Sequence, residues 1–155
     1  MLKRYLSPQA DRAYAVLRIV AGLLFLFHGV QKIFGVLSDH PAPAIGSQIW
    51  FGGVIELVAG AAIMAGFLTQ WAAFIASGEM AVAYFQFHWK FQWDANFFPT
   101  INKGELAVLY CFVFLYFACR GSGPWSVDDA LVRSRETKVE RETEVEARRK
   151  VPIHT

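Results

Sequence analysis

The sequence predicts an all-α integral membrane protein, a bundle of four transmembrane helices with a charged cytoplasmic C-terminal tail. Three observations predict it. Apolar residues make up 55% of the 155 residues and charged ones only 18%, against roughly a quarter charged in an average soluble chain. The charge is concentrated: from Ser126 to Thr155 there are seven basic and seven acidic residues, so nearly all the hydrophobicity lies ahead of that stretch. The apolar runs are also long and apolar all round rather than on one face, as lipid-facing helices read. The expected division is a membrane domain over residues 1–125 and a cytoplasmic tail over 126–155.

The first helix is expected from about Ala13 to Phe34. Lys3, Arg4 and Arg12 precede it as in a signal sequence. Arg18 interrupts the run, however, and no small-residue cleavage site closes it, so it reads as an uncleaved span. The second is expected from Trp50 to Leu68, the third from Trp71 to Phe87, and the fourth from Glu105 to Cys119. The last is short for a span of roughly 20 residues, so it should begin in the polar turn around Ile101 to Gly104. Pro41 and Pro43 break the first connection, because each fixes φ and removes a donor. Gly66 with Thr69-Gln70 makes a tight hairpin, and Pro99 with Asn102-Lys103-Gly104 breaks the third connection. In the tail, Ser126-Val127-Asp128-Asp129 has a capping-box pattern with Asp in place of Glu. Glu144–Arg148 and Glu146–Lys150 are i,i+4 pairs of favourable polarity. With no apolar stripe, the tail should be solvated, helical in part or disordered.

Formal net charge is +2, which gives no argument for nucleic acid. Cys111 and Cys119 are about 12 Å apart along one helix, too far to pair when a disulfide needs Cα atoms within about 7 Å. No Cys/His cluster marks a metal site or an iron–sulfur cluster.

Ionisable residues inside apolar runs are the candidates for function. A charge at the bilayer centre costs at least about 2.5–3.5 kcal/mol, so each asks for a partner or a role. Arg18, His28 and Lys32 share one face of the first helix, with Gln31 beside them. Glu56 lies in the second, Glu79 in the third, His88 at that helix's outer end, and Glu105 opens the fourth. Depth counted at 1.5 Å per residue suggests two clusters. Glu56 should meet His28, Gln31 and Lys32 in the outer half, and Glu79 should meet Arg18 in the inner half. Such clusters could fix helix register alone, bind a small polar head group, or relay protons. His28 and His88 could also serve as haem ligands, though nothing marks them as such. Ala73, Ser77 and Ala81 form a small-residue ridge, as do Ala62 and Gly66; with Gly52, Gly53 and Gly60 these read as helix-packing positions.

Several motifs resemble the DoxX family. Leu17-Arg18-Ile19, Gly22 through Gly29 and Gln31-Lys32 look like its first helix. Gly52-Gly53, Glu56-Leu57 and Gly60 are similar to its second, and Gly78-Glu79-Met80-Ala81-Val82-Ala83-Tyr84 to its third. Phe97-Phe98-Pro99, Asn102, Gly104-Glu105-Leu106-Ala107 and Gly123-Pro124-Trp125-Ser126 resemble the rest, so the likeness runs over residues 10–128. The charged tail lies outside it, and Trp89 to Asp94 is bulkier than the pattern. The resemblance implies a four-helix protein of the bacterial inner membrane, in a family named for a quinol-oxidase subunit and often labelled oxidoreductase.

The expected function is that of a membrane subunit in a redox or stress-related complex that binds a quinone-like head group. The expected partners are the bilayer, other subunits or a second copy. A small-molecule or proton transporter, or a structural subunit without catalysis, are the alternatives. No nucleotide fingerprint or nucleophile triad identifies catalytic residues. Basic residues gather at Lys3, Arg4 and Arg12 and again after Arg120, which places both termini in the cytoplasm. Trp50, Trp71, Trp89, Trp93 and Trp125 then fall at interfaces, where an indole ring finds both apolar and hydrogen-bonding surroundings. Reporter fusions at Asp39 and Asp94 should therefore read as periplasmic and one after Val132 as cytoplasmic; a cytoplasmic signal at Asp39 would overturn the four-span assignment.

Overall fold

The computed structural model describes residues 2–38 and 41–150, the side chains of 147–150 excepted. Asp39 and His40, and the side chains of Arg148 and Lys150 in the expected tail pairs, lie outside the described residues. Within them every regular element is helical. A short α1 (Leu2–Leu6) and a 3₁₀ turn lead into α2 (Ala10–Phe34). There follow α3 (Gln48–Ala65), α4 (Thr69–Ala83), a π-helix (Tyr84–Trp89) that continues α4, a 3₁₀ turn (Ala95–Phe97), α5 (Pro99–Asn102), α6 (Glu105–Arg120) and α7 (Val127–Lys150). All four expected long helices are present. Two stretches, Leu2–Phe34 and Gln48–Ala65, are long and apolar enough to cross a bilayer.

Local chemistry sets the ends. Ser47 caps α3 by accepting from the Trp50 N–H at 3.2 Å, which satisfies one of the donors a helix start leaves free. Gly35 and Gly66 take left-handed φ of 64° and 72° and close α2 and α3, a conformation that carries no Cβ penalty only for glycine. Pro99 opens α5 at the position where its missing N–H is harmless.

Helix α2 packs most extensively on α3, and α4 on α6, while α3 and α4 join the two pairs. The α2–α3 seam is built on missing side chains. A Cβ on Gly29 would sit 2.3 Å from the Leu57 backbone nitrogen, and one on Gly60 2.6 Å from that of Leu26. Close backbone approach of this kind drives association where no hydrophobic gain is on offer. Between the pairs, Phe25 meets Phe114 at 4.7 Å between ring centroids, and Phe114, Phe117 and Ile63 complete a fully buried core. The Ser77 hydroxyl donates to the Cys111 carbonyl at 2.8 Å, tying α4 to α6 along the expected small-residue ridge.

Arg18 is fully buried, and its partners are not carboxylates. Its guanidinium donates to the carbonyls of Ile63 (2.7 Å), Met64 (3.0 Å), Trp125 (2.8 Å) and Pro124 (3.4 Å). The first two belong to the last turn of α3, where carbonyls have no intrahelical partner and the helix dipole is negative. The expected Arg18–Glu79 pair is therefore not formed. Beside this clasp the Tyr14 hydroxyl donates to the Gly121 carbonyl.

The root of α7 joins the same end. The Ser126 hydroxyl accepts from the Asp129 N–H at 3.1 Å, as its capping pattern implies. Asp128 accepts from the Leu68 N–H at 3.1 Å, at the start of α4, and its own N–H donates to the Gly66 carbonyl at 3.0 Å. Beyond this root the described side chains of α7 from Leu131 onward are exposed. Truncation after Val132 keeps both contacts and should leave the melting temperature nearly unchanged. Asp128→Ala should cost about 0.5–2 kcal/mol, the usual worth of a cap. Arg18→Met, which removes the shared donor from four carbonyls, should cost about 3 kcal/mol or more. Thermal melts of the three variants check the ranking.

Candidate functional site

A buried polar group lies where α2, α3 and α4 meet. Glu56 on α3 points inward with only 4% of its side chain exposed, and the Lys32 ammonium on α2 donates to its Oε1 at 2.6 Å. Lys32 keeps 33% of its side chain exposed, so the pair is open on the lysine side. The other Glu56 oxygen, Oε2, is buried without a hydrogen-bond partner among the described residues.

Glu79 on α4 belongs to this group rather than to Arg18. Its Oε1 lies against Gly52 of α3, and it is within electrostatic reach of both Glu56 and Lys32. Its Oε2 is also buried and unpartnered among the described residues. The reason is a matter of register. Helices α3 and α4 share the tight turn at Gly66–Leu68, from which Glu56 stands about 15 Å up one helix and Glu79 about 16 Å up the other. The two carboxylates are thus nearly level, while Arg18 is level with the turn itself. One ammonium faces two carboxylates, so the second is compensated only by a proton or by a donor from outside.

Two cavities flank the group. One of about 440 Å³ lies between α3 and α4, with Gln48, Phe51, Gly52, Ile75, Glu79 and Val82 in its lining. The other, of about 260 Å³, lies between α2, α4 and α6 and includes His28, Glu56, Lys103 and Tyr110. Lys32, Ala83 and His88 line both and form the wall between them. His88 reaches this wall from the π-helix, a rare helix form found frequently at functional sites. Its Nδ1 is 3.0 Å from the Asn102 carbonyl. Asn102 is itself fixed, donating to the Asn96 carbonyl at 2.7 Å and accepting from the Gly104 N–H at 2.7 Å. His28 meets Tyr110 edge-on at 6.5 Å between ring centroids.

Besides Arg18, two expected site residues stand apart. The Gln31 amide donates to the Leu37 carbonyl at 2.6 Å, following the chain out of α2 rather than facing α3. Glu105 accepts from the Thr100 hydroxyl at 2.9 Å on the exposed side of the α5–α6 turn. Conversely, Tyr110 and Lys103 line the smaller cavity without having been picked out as site residues. Tyr110 sits in an apolar run where only its hydroxyl could signal a role, and Lys103 reads from sequence as an ordinary loop charge. Among the described residues no group of three or more His, Cys, Asp or Glu side chains could hold a metal ion.

The pair sets a test of its own. Lys32→Met should strand the Glu56 carboxylate and cost about 3 kcal/mol or more, because removing one partner of a buried pair leaves the other uncompensated. Lys32→Met combined with Glu56→Gln should recover most of that loss. Unfolding midpoints of the single and double variants measure the recovery, and equal losses would mean that the two groups do not act as a pair.

The DoxX family model matches residues 13–89, which includes Arg18, Lys32, Glu56, Glu79 and His88. An uncharacterized protein of Haemophilus influenzae is 41% identical over 118 residues, covering 74% of this chain and 87% of the relative. No solved structure matches the chain. On the family match and the length of that alignment, the chain belongs to the DoxX family.

Proposed function

We propose that this protein is a four-span subunit of the bacterial inner membrane, with both termini cytoplasmic, that binds a quinone-like head group between α3 and α4 within a redox or stress-related complex. The observation that carries the reading is a pair of buried carboxylate oxygens without partners among the described residues, Glu79 Oε2 at the 440 Å³ cavity and Glu56 Oε2 at the adjoining 260 Å³ one. Pockets for small ligands usually measure about 300–1,000 Å³, with apolar walls and a few convergent polar groups. Lys32 supplies a donor for a ring carbonyl, and the second carboxylate supplies the site for an exchangeable proton. A quinone brings two-electron chemistry coupled to two protons; the electrons would come from a partner subunit, and this chain's residues hold the ring and exchange protons.

Four spans are supported by the outward faces. Phe112 is 64% exposed, Val58 63% and Trp71 71%, and surfaces this apolar over α3, α4 and α6 call for lipid rather than water. Helix α4 gains length from the π-helix, so that Thr69–Trp89 is one continuous rod. Binding is favoured over passage because the fully buried Phe25, Ile63, Phe114 and Phe117 fill the bundle on the Arg18 side of the site.

Mass spectrometry of lipids that remain with the gently extracted protein should find a quinone, and its consistent absence would remove the head-group assignment. Glu56→Gln keeps size and most hydrogen bonding but loses the titratable proton. It should insert at normal levels yet fail to complement a deletion strain; full complementation by normally inserted Gln variant would leave Glu56 a packing residue.

A further inference from the structure

We infer that the larger cavity is a lateral portal, through which an amphipathic molecule of the bilayer enters between α3 and α4 and leaves its apolar tail in the groove between them. This rests on the head-group reading above and adds the route and the ligand class.

The opening faces sideways. Phe51, Ile75, Val82 and Phe87 line the cavity and are 57%, 52%, 45% and 45% exposed, so its mouth lies on the outward flank of α3 and α4. Its outer end is strapped instead: the Gln48 side-chain amide at the start of α3 donates to the side-chain oxygen Oε1 of Gln86 in the π-helix. In a bilayer the flank meets acyl chains, and a molecule that approaches there must be lipid-soluble.

The floor of the groove is open for a reason other than helix packing. A Cβ on Gly22, Gly29 or Gly60 would collide with backbone of the facing helix, whereas one on Gly52 would meet only Glu79 Oε1, at 3.0 Å. The missing side chain at Gly52 therefore clears the approach to a carboxylate. At the end of that approach stand Glu79, with one oxygen buried and unpartnered among the described residues, and the half-exposed Lys32. A wholly apolar occupant would leave the buried Glu79 oxygen without a donor and offer the Lys32 ammonium no acceptor beyond Glu56. A wholly polar one would leave Phe51, Ile75 and Val82 without contact. Only a molecule with a hydrogen-bonding head and an apolar tail satisfies both ends.

The full-length protein in lipid nanodiscs tests this with two probes, a decyl-substituted benzoquinone and the same ring without its tail. Quenching of intrinsic tryptophan fluorescence is read at equal mole fraction in the bilayer. The tailed ring should bind at least tenfold more tightly than the tail-less one. Val82→Phe and Ile75→Phe, which fill the mouth at exposed positions, should each weaken the tailed ring tenfold or more. Val58→Phe, exposed on α3 away from the cavity, should stay within twofold of the unaltered protein. Equal binding of the two rings, or mouth variants that bind like Val58→Phe, would overturn the portal while leaving the head-group site standing. No saturable quenching by either ring in the unaltered protein would overturn both.

Discussion

The arrangement depends on how one arginine is neutralised. Among the described residues the hydrogen-bond partners of Arg18 are four backbone carbonyls, from α3 and from the segment after α6, with Asp128 within electrostatic reach. A buried guanidinium needs several acceptors at once, and a helix C-terminus offers carbonyls with free acceptor capacity. The cation thereby fixes where α3 ends relative to α2 and where the chain returns after α6. Asp128 extends the same knot by accepting from the start of α4. With one end of the bundle fixed in this way, the heights of Glu56 and Glu79 above it follow from helix geometry.

Helix positions were legible in the sequence because lipid-like apolar runs, prolines and glycines mark them directly. The Lys32–Glu56 pair was legible too, since both charges lie in the outer half of their helices, away from the Arg18 turn, and each needs the other. The pairing of Glu79 was not. Counting depth from separate boundaries lets small errors in each helix start add up, whereas the shared turn at Gly66 sets both carboxylates against one origin. Backbone carbonyls were invisible as partners for Arg18 because any sequence contains them; only the fold shows which are free. Gln31 was misjudged for a related reason, since a side chain in the last turn of a helix can follow the chain into the loop. Tyr110 carried no signal among the aromatic residues of α6. The π-helix that brings His88 to the cavity wall is likewise written in no residue type.

Charge and packing divide the bundle lengthwise. Around Phe25, Phe114, Phe117 and Ile63 it is dry and tightly filled. Around Lys32 it is opened by Gly52 and carries a second carboxylate, Glu79, with no ion-pair partner among the described residues. Such an excess of one charge in an apolar setting is costly to maintain, and a packing role alone would be met by the Lys32–Glu56 pair. The supernumerary carboxylate is what sets the site apart from an ordinary buried ion pair.

The Arg18 clasp also has a consequence in time. Two of its acceptors, Pro124 and Trp125, lie 106 and 107 residues further along the chain. While the protein is being made, α2 and α3 can meet first, and Arg18 can bind Ile63 and Met64 as soon as the end of α3 emerges. Its guanidinium must then wait, half satisfied, until the segment after α6 has been synthesised. Assembly is thus completed by the segment after the last helix of the bundle locking onto a residue of the first, so a nascent chain stalled before residue 124 would hold a cation whose last acceptors are still to come.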